Sequence, residues 1–262
     1  MAEKTLPTAT RDALFDLVAR LADNKHFLGR NYADWCSGAP TLESAVAAAA
    51  MAQDELGHAR ALYPLLKSLA PPAGPDLDPE TRTAFPRVSL LDQPFADWMR
   101  FVAANFLTDT ALTIIFAAAQ NSTYEPLAGR SRKVLQEERV HEAHAQAWVR
   151  RLAGEGGAVR PACESALREN WDETLCWFGR PDASDSLFAA GVLDADPDTL
   201  RARFLDVVGP VLVAEGLDLP VRADGDGYAV TTPLPWERWD DATFRLHAGG
   251  APAQPRTKAT TR

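Results

Sequence analysis

Between Phe101 and Ala119 the chain is almost wholly apolar on every helical face, with one carboxylate, Asp109, set in its middle. A helix of that composition has no side suited to water and must be surrounded by other elements. A carboxylate inside it is costly unless it is paired, hydrogen-bonded or bound to a metal. No lysine or arginine lies within two turns of Asp109, so Asp109 reads as a metal ligand supplied by this helix.

Three further long helices are available to enclose it. Residues 9–36 place Leu14, Leu17, Val18, Leu21 and Leu28 on one face before Gly38-Ala39-Pro40 breaks the helix. An alanine-rich helix follows Thr41, a suitable N-cap, and stops at Pro71-Pro72, with Pro64 a candidate kink. The apolar helix spans about 95–120, and a fourth runs from about 125 to 153. These two hairpins predict an all-α four-helix bundle over 1–160. Additional C-terminal helices, near 161–178 and 197–216, and a hairpin around Asp224-Gly225-Asp226-Gly227 should pack on it over 161–248. Residues 249–262 read as a disordered tail.

Composition narrows the partners. A net charge of −9 argues against broad binding to nucleic acid or anionic membrane. Arg130, Arg132 and Lys133 read as a solvated stretch near a helix start. The three cysteines, Cys36, Cys163 and Cys176, show no CxxC spacing, which fits a reducing compartment. No apolar signal region and no uncharged apolar stretch of about 18 residues is evident, so a cytoplasmic protein without a membrane span is expected.

The chemistry-bearing motif occurs twice. Helix two holds Asp54-Glu55-Leu56-Gly57-His58, and helix four holds Glu137-Glu138-Arg139-Val140-His141. Residues three apart share a helix face, so each Glu-x-x-His aims a carboxylate and an imidazole at one spot. One such pair is a common surface feature. Two, each on the second helix of a hairpin, match carboxylate-bridged dinuclear bundles, which also take one carboxylate from each remaining helix. The expected metal ligands are therefore Glu55, His58, Asp109, Glu138 and His141, with Glu55 and Glu138 the residues closest to catalysis. Asp54 and Glu137 precede the two glutamates and could accept the second ring N–H of the ligating histidines.

The first helix is the open question. No glutamate occurs from residue 4 to residue 42. Counting back from Glu55 by the interval between Asp109 and Glu138 lands on His26, while the apolar stripe points at Lys25. Either His26 is a ligand, or Asp23 reaches in, or Lys25 places an ammonium where a metal would sit. Alternatively Lys25 escapes to solvent at the edge of the stripe. Carboxylate and imidazole ligands suit iron or manganese, and a dinuclear iron site would fit O₂-dependent oxidation.

These residues resemble the phenylacetic acid catabolic proteins, the catalytic and structural subunits of a ferritin-like phenylacetyl-CoA epoxidase. Asp23-Asn24 through Trp35-Cys36-Ser37-Gly38-Ala39-Pro40 looks like the structural subunit's first helix and turn. Gln53–His58, Phe106–Asp109, Glu137–His141 and Asn170-Trp171 to Pro181 look like the catalytic subunit. The resemblance implies a dinuclear-metal monooxygenase component acting on an acyl-CoA or related aromatic substrate. It also implies a paralogous subunit, an iron–sulfur or flavin reductase, and a homo- or hetero-oligomer. The departure at Lys25/His26 raises a second reading, a non-catalytic structural subunit. A ferritin-like iron oxidase or store is a third, opposed by the long C-terminal region.

Overall fold

The computed structural model describes residues 6–71, 74–78, 81–181 and 186–247. Helix α1 spans Thr8–Asp34 and buries Leu14, Leu17, Val18, Leu21, Leu28 and Tyr32. Helix α2 spans Leu42–Leu69, capped by Thr41, whose side chain accepts from the Ser44 N–H. Pro64 lies within it, one turn from its end. The two helices run together as the first hairpin.

The apolar third helix is a composite. Helix α3 (Trp98–Ala103) leads into a π-helical segment, Ala104–Asp109, and then into α4 (Thr110–Ala119). Sequence periodicity predicts one continuous α-helix here. The π segment inserts an offset that 3.6-residue patterning cannot reveal, and such segments recur at functional sites. This composite helix is long and apolar enough to cross a membrane, yet 89% of its most apolar window is buried inside the bundle. Burial among helices accounts for its composition. Helix α5 (Glu125–Gly154) completes the second hairpin, with Pro126 in its first turn.

Behind α1, residues 82–95 form a strap. Asn24 Oδ1 accepts from the Val88 N–H at 3.0 Å, and Asn31 Oδ1 accepts from the Phe95 N–H at 3.1 Å. Asn24 and Asn31 lie two turns apart on one face, so the strap grips α1 along its length. Buried Arg82 pairs with buried Asp23, to which Tyr63 also donates. At the end of the strap, Trp98 stacks on Phe101 at 4.2 Å between Trp35 and Trp148.

Helices α6 (Val159–Cys176), α7 (Ser186–Ala189) and α8 (Pro197–Ala214) follow. They join the same apolar core through Leu167, Trp171, Phe204 and Val208. Strands β1 (Val221–Asp224) and β2 (Gly227–Val230) form the expected antiparallel hairpin, turning at Gly225 with φ +60°. A second small pair, β3 (Trp239–Asp240) and β4 (Arg245–Leu246), was not foreseen; two-residue strands leave no periodicity to read. The expected tail, 249–262, lies outside the described residues. The all-α bundle with added C-terminal helices is otherwise the architecture observed.

Gly29 sets the α1–α2 spacing beside the buried glutamate. A Cβ there would stand 2.8 Å from Leu56 Cγ and 3.0 Å from both Glu55 Cβ and the Leu56 backbone nitrogen. Alanine is favoured over glycine in a helix interior by about 1 kcal/mol. Overpacking against backbone costs about 1–3 kcal/mol and should win. Gly29→Ala is expected to lower the urea midpoint of unfolding; a raised midpoint would show that the helices can part freely.

Candidate metal centre

Four helices each deliver one charged group to a common point. Lys25 comes from α1, Glu55 from α2, Asp109 from the end of the π segment and Glu138 from α5. Lys25 Nζ donates to Glu55 Oε1 at 2.8 Å, to Asp109 Oδ1 at 2.6 Å and to Glu138 Oε1 at 2.6 Å. The lysine is 0% exposed. Three donors meet three acceptors, so the ammonium is fully satisfied.

His141 occupies the other side of the carboxylates. Its Nδ1 lies 3.1 Å from Asp109 Oδ2, 3.2 Å from Glu55 Oε1 and 3.6 Å from Glu138 Oε2. His58 Nδ1 lies 3.4 Å from Glu138 Oε1 and 4.0 Å from Glu55 Oε1. The outer ring nitrogens are held crosswise. His58 Nε2 meets Glu137 Oε2 at 2.6 Å, and His141 Nε2 meets Asp54 Oδ2 at 3.4 Å. Each acid beside a glutamate thus faces the histidine of the opposite helix. With Nε2 of His58 donating to Glu137, its Nδ1 presents a lone pair to the interior.

Charge in this space is strongly coupled. Burial opposes the Lys25 charge, but Asp109, Glu138 and Glu55 overturn that and hold the ammonium well above its ordinary range. Burial pushes Asp109 up, and the larger combined pull of Lys25 and His141 holds it far below the usual carboxylate range. For Glu138, burial and the neighbouring Asp109 charge outweigh Lys25 and lift the carboxyl to about 8. Glu55 is raised for the same reasons. His141 would be lowered by burial, yet its bonds to Asp109 and Glu55 lift it to about 11. Burial and the Lys25 charge lower His58 to about 3.

Glu55, Asp109, Glu138 and His141 each offer a donor atom within 4.8 Å of the others, so the group could hold a metal ion. Two expected candidates lie elsewhere. His26 turns its ring edge-on to Phe27 and Tyr63, because α1 points Lys25 inward and the next residue must point away. Asp23 is committed to Arg82 and Tyr63. Polar neighbours that sequence reasoning passed over are Asn105 and Thr113. Asn105 Nδ2 reaches Asp109 Oδ2 at 3.4 Å, and Thr113 Oγ1 donates to Glu138 Oε2 at 2.9 Å. The signal was present: both sit four residues from Asp109, on its side of a largely apolar helix. Beyond them a narrow cleft reaches Asp109, Glu138 and His141 past Val207 of α8.

Removing Lys25 leaves three buried acids with only the His141 imidazole to offset them. Breaking a buried pair by deleting one partner costs about 3–5 kcal/mol. Lys25→Met, which keeps the volume, is expected to destabilise the chain by about that amount in metal-free buffer, read by denaturant unfolding. A change below about 1 kcal/mol would mean that the ammonium contributes little to holding the bundle together.

Comparison with known proteins agrees with this architecture. Over 185 residues the chain is 29% identical to a subunit of the 1,2-phenylacetyl-CoA epoxidase from Escherichia coli (strain K12), an alignment covering 70% of this chain and 74% of that one. A family model described as phenylacetic acid catabolic protein matches residues 1–229. The paired Glu-x-x-His helices and the 1–229 match lead to one conclusion: the chain belongs to the phenylacetic acid catabolic protein family.

Proposed function

We propose that this chain is the non-oxidising partner subunit of a multicomponent oxygenase that epoxidises an aromatic acyl-CoA thioester. The observation that carries the reading is the Lys25 ammonium at the centre of the carboxylate group. A dinuclear iron or manganese centre in such a bundle draws a carboxylate from every helix. Here α1 contributes a cation instead, with His26 and Asp23 turned elsewhere. Two metal ions do not fit these residues as they stand.

Two further observations support the same reading. The cleft beside the site has about 20 Å³ of free interior, room for a water molecule and far less than an acyl-CoA needs. The similar E. coli protein is itself named as one subunit of an epoxidase. The partners in this reading are a paralogous catalytic subunit that binds the acyl-CoA and an iron–sulfur or flavin reductase, working in the cytoplasm. This chain's residues supply a rigid bundle whose interior charges are already satisfied.

The oxygenase reading is favoured by a different observation, the retention of Glu55, His58, Asp109, Glu138 and His141 around one interior point. A dinuclear iron site would supply reductive O₂ activation. The two readings separate experimentally. Purified anaerobically and reduced, the chain alone is expected to show no O₂ uptake above buffer, and to form a stable heteromer with its catalytic paralogue by native mass spectrometry. Two irons per chain, with O₂ uptake lost in Glu138→Ala, would reverse the assignment.

A further inference from the structure

Three of the five large apolar side chains that stand exposed among the described residues lie on α2 and α5. Leu42 is 77% exposed, Val46 62% and Val140 69%. The two helices are antiparallel neighbours, tied by Arg130 Nε to the Ala61 carbonyl at 2.7 Å, by His58 to Glu137 and by His141 to Asp54. Continuing that register sets the exposed Ala143 and Ala147 beside the turn of α2 that carries Val46 and Ala50. On α2, Leu42, Val46, Ala50, Gln53 and Gly57 recur at helical spacing and are all exposed. Gln136, Val140, Ala143 and Ala147 do the same on α5. The two rows make one outward face with three large apolar side chains standing on it.

Gly57 is the odd residue of this face. Glycine weakens a helix interior relative to alanine, and a Cβ here would meet nothing of this chain within 4 Å. Gly29, by contrast, has Leu56 against it. Nothing inside the molecule calls for glycine at position 57, whereas a backbone arriving from outside does. The rim of the face is basic. Arg60, Lys133, Arg139, Arg150 and Arg151 are exposed there, on a chain whose net charge is −9. The half-exposed acids of the seam, Asp54 and Glu137, face His141 and His58. Glu125 is paired with Arg132, and Glu43 is confined to the first turn of α2.

We infer that the α2–α5 face docks a helix of a different chain, one with an apolar stripe flanked by acidic side chains. The inference rests on the partner-subunit reading and gives the catalytic paralogue its seat. A second copy of this chain fits poorly, because a two-fold contact sets each patch against itself and here would bring basic rims together. A reductase that visits for electron transfer fits poorly as well. Such brief encounters use small contacts, while lasting interfaces bury more apolar surface. Exposed Leu42, Val46 and Val140 suit a lasting one.

Native mass spectrometry and titration calorimetry of the full-length chain with its catalytic paralogue test this. Val140→Glu and Arg139→Glu are each expected to weaken the heteromer about tenfold or more. Val213→Glu, the same apolar-to-acid change at an exposed position of α8, should leave it unchanged. Gly57→Gln separates docking from folding. It should raise the thermal midpoint of the free chain and weaken the heteromer about tenfold or more. A heteromer indifferent to any one of Val140→Glu, Arg139→Glu and Gly57→Gln would overturn the inference, as would equal weakening by Val213→Glu. A homodimer of the chain alone that Val140→Glu disperses, seen by sedimentation, would assign the face to a second copy instead. Those outcomes leave the partner-subunit reading standing, whereas a wild type that forms no heteromer removes that reading and the inference with it.

Discussion

The interior of this bundle depends on a single ammonium group. Three carboxylates brought within hydrogen-bond reach of one point cannot all stay ionised in a low-dielectric interior without a cation among them. Lys25 supplies that cation with the His141 imidazole beside it, and the lysine's three N–H donors match three oxygens from three other helices. Closing the bundle and compensating its charge are therefore one event. Each helix is located by its corner of the cluster as well as by its apolar stripe.

The surroundings serve to keep that arrangement in register. Asn24 and Asn31 on the back of α1 hold the 82–95 strap, so α1 cannot rotate without breaking both bonds. Gly29 lets α1 approach α2 at the level of Glu55. The π segment ends on Asp109 and carries Asn105 one turn earlier, fixing the carboxylate that both Lys25 and His141 use. Asp54 and Glu137 reach across to each other's histidines and tie α2 to α5. These contacts are polar and directional, which gives the interior one arrangement where apolar packing alone would allow several.

Membership of the phenylacetic acid catabolic family sets the frame in which this cluster acquires meaning. The chain carries paired Glu-x-x-His helices and a buried aspartate that could hold a metal ion, and its first helix adds a lysine to them. One residue of α1 is enough to set an ammonium among the three carboxylates.

Much of this was readable from residue order. The apolar run around Asp109, the doubled Glu-x-x-His and the glycine and proline breaks determine four helices, their boundaries within a few residues, and which carboxylates and imidazoles face inward. They do so because helical spacing is local and repeats every 3.6 residues. The first helix was different. Lys25, His26 and Asp23 were equally available to a one-dimensional reading, since adjacent residues differ only by a rotation of the helix. That rotation is set by long-range contacts: Asn24 and Asn31 on the strap, Asp23 on Arg82 and Gly29 against Leu56. Helix periodicity determined that something from α1 would meet the three acids; only the tertiary packing decided that it is an ammonium.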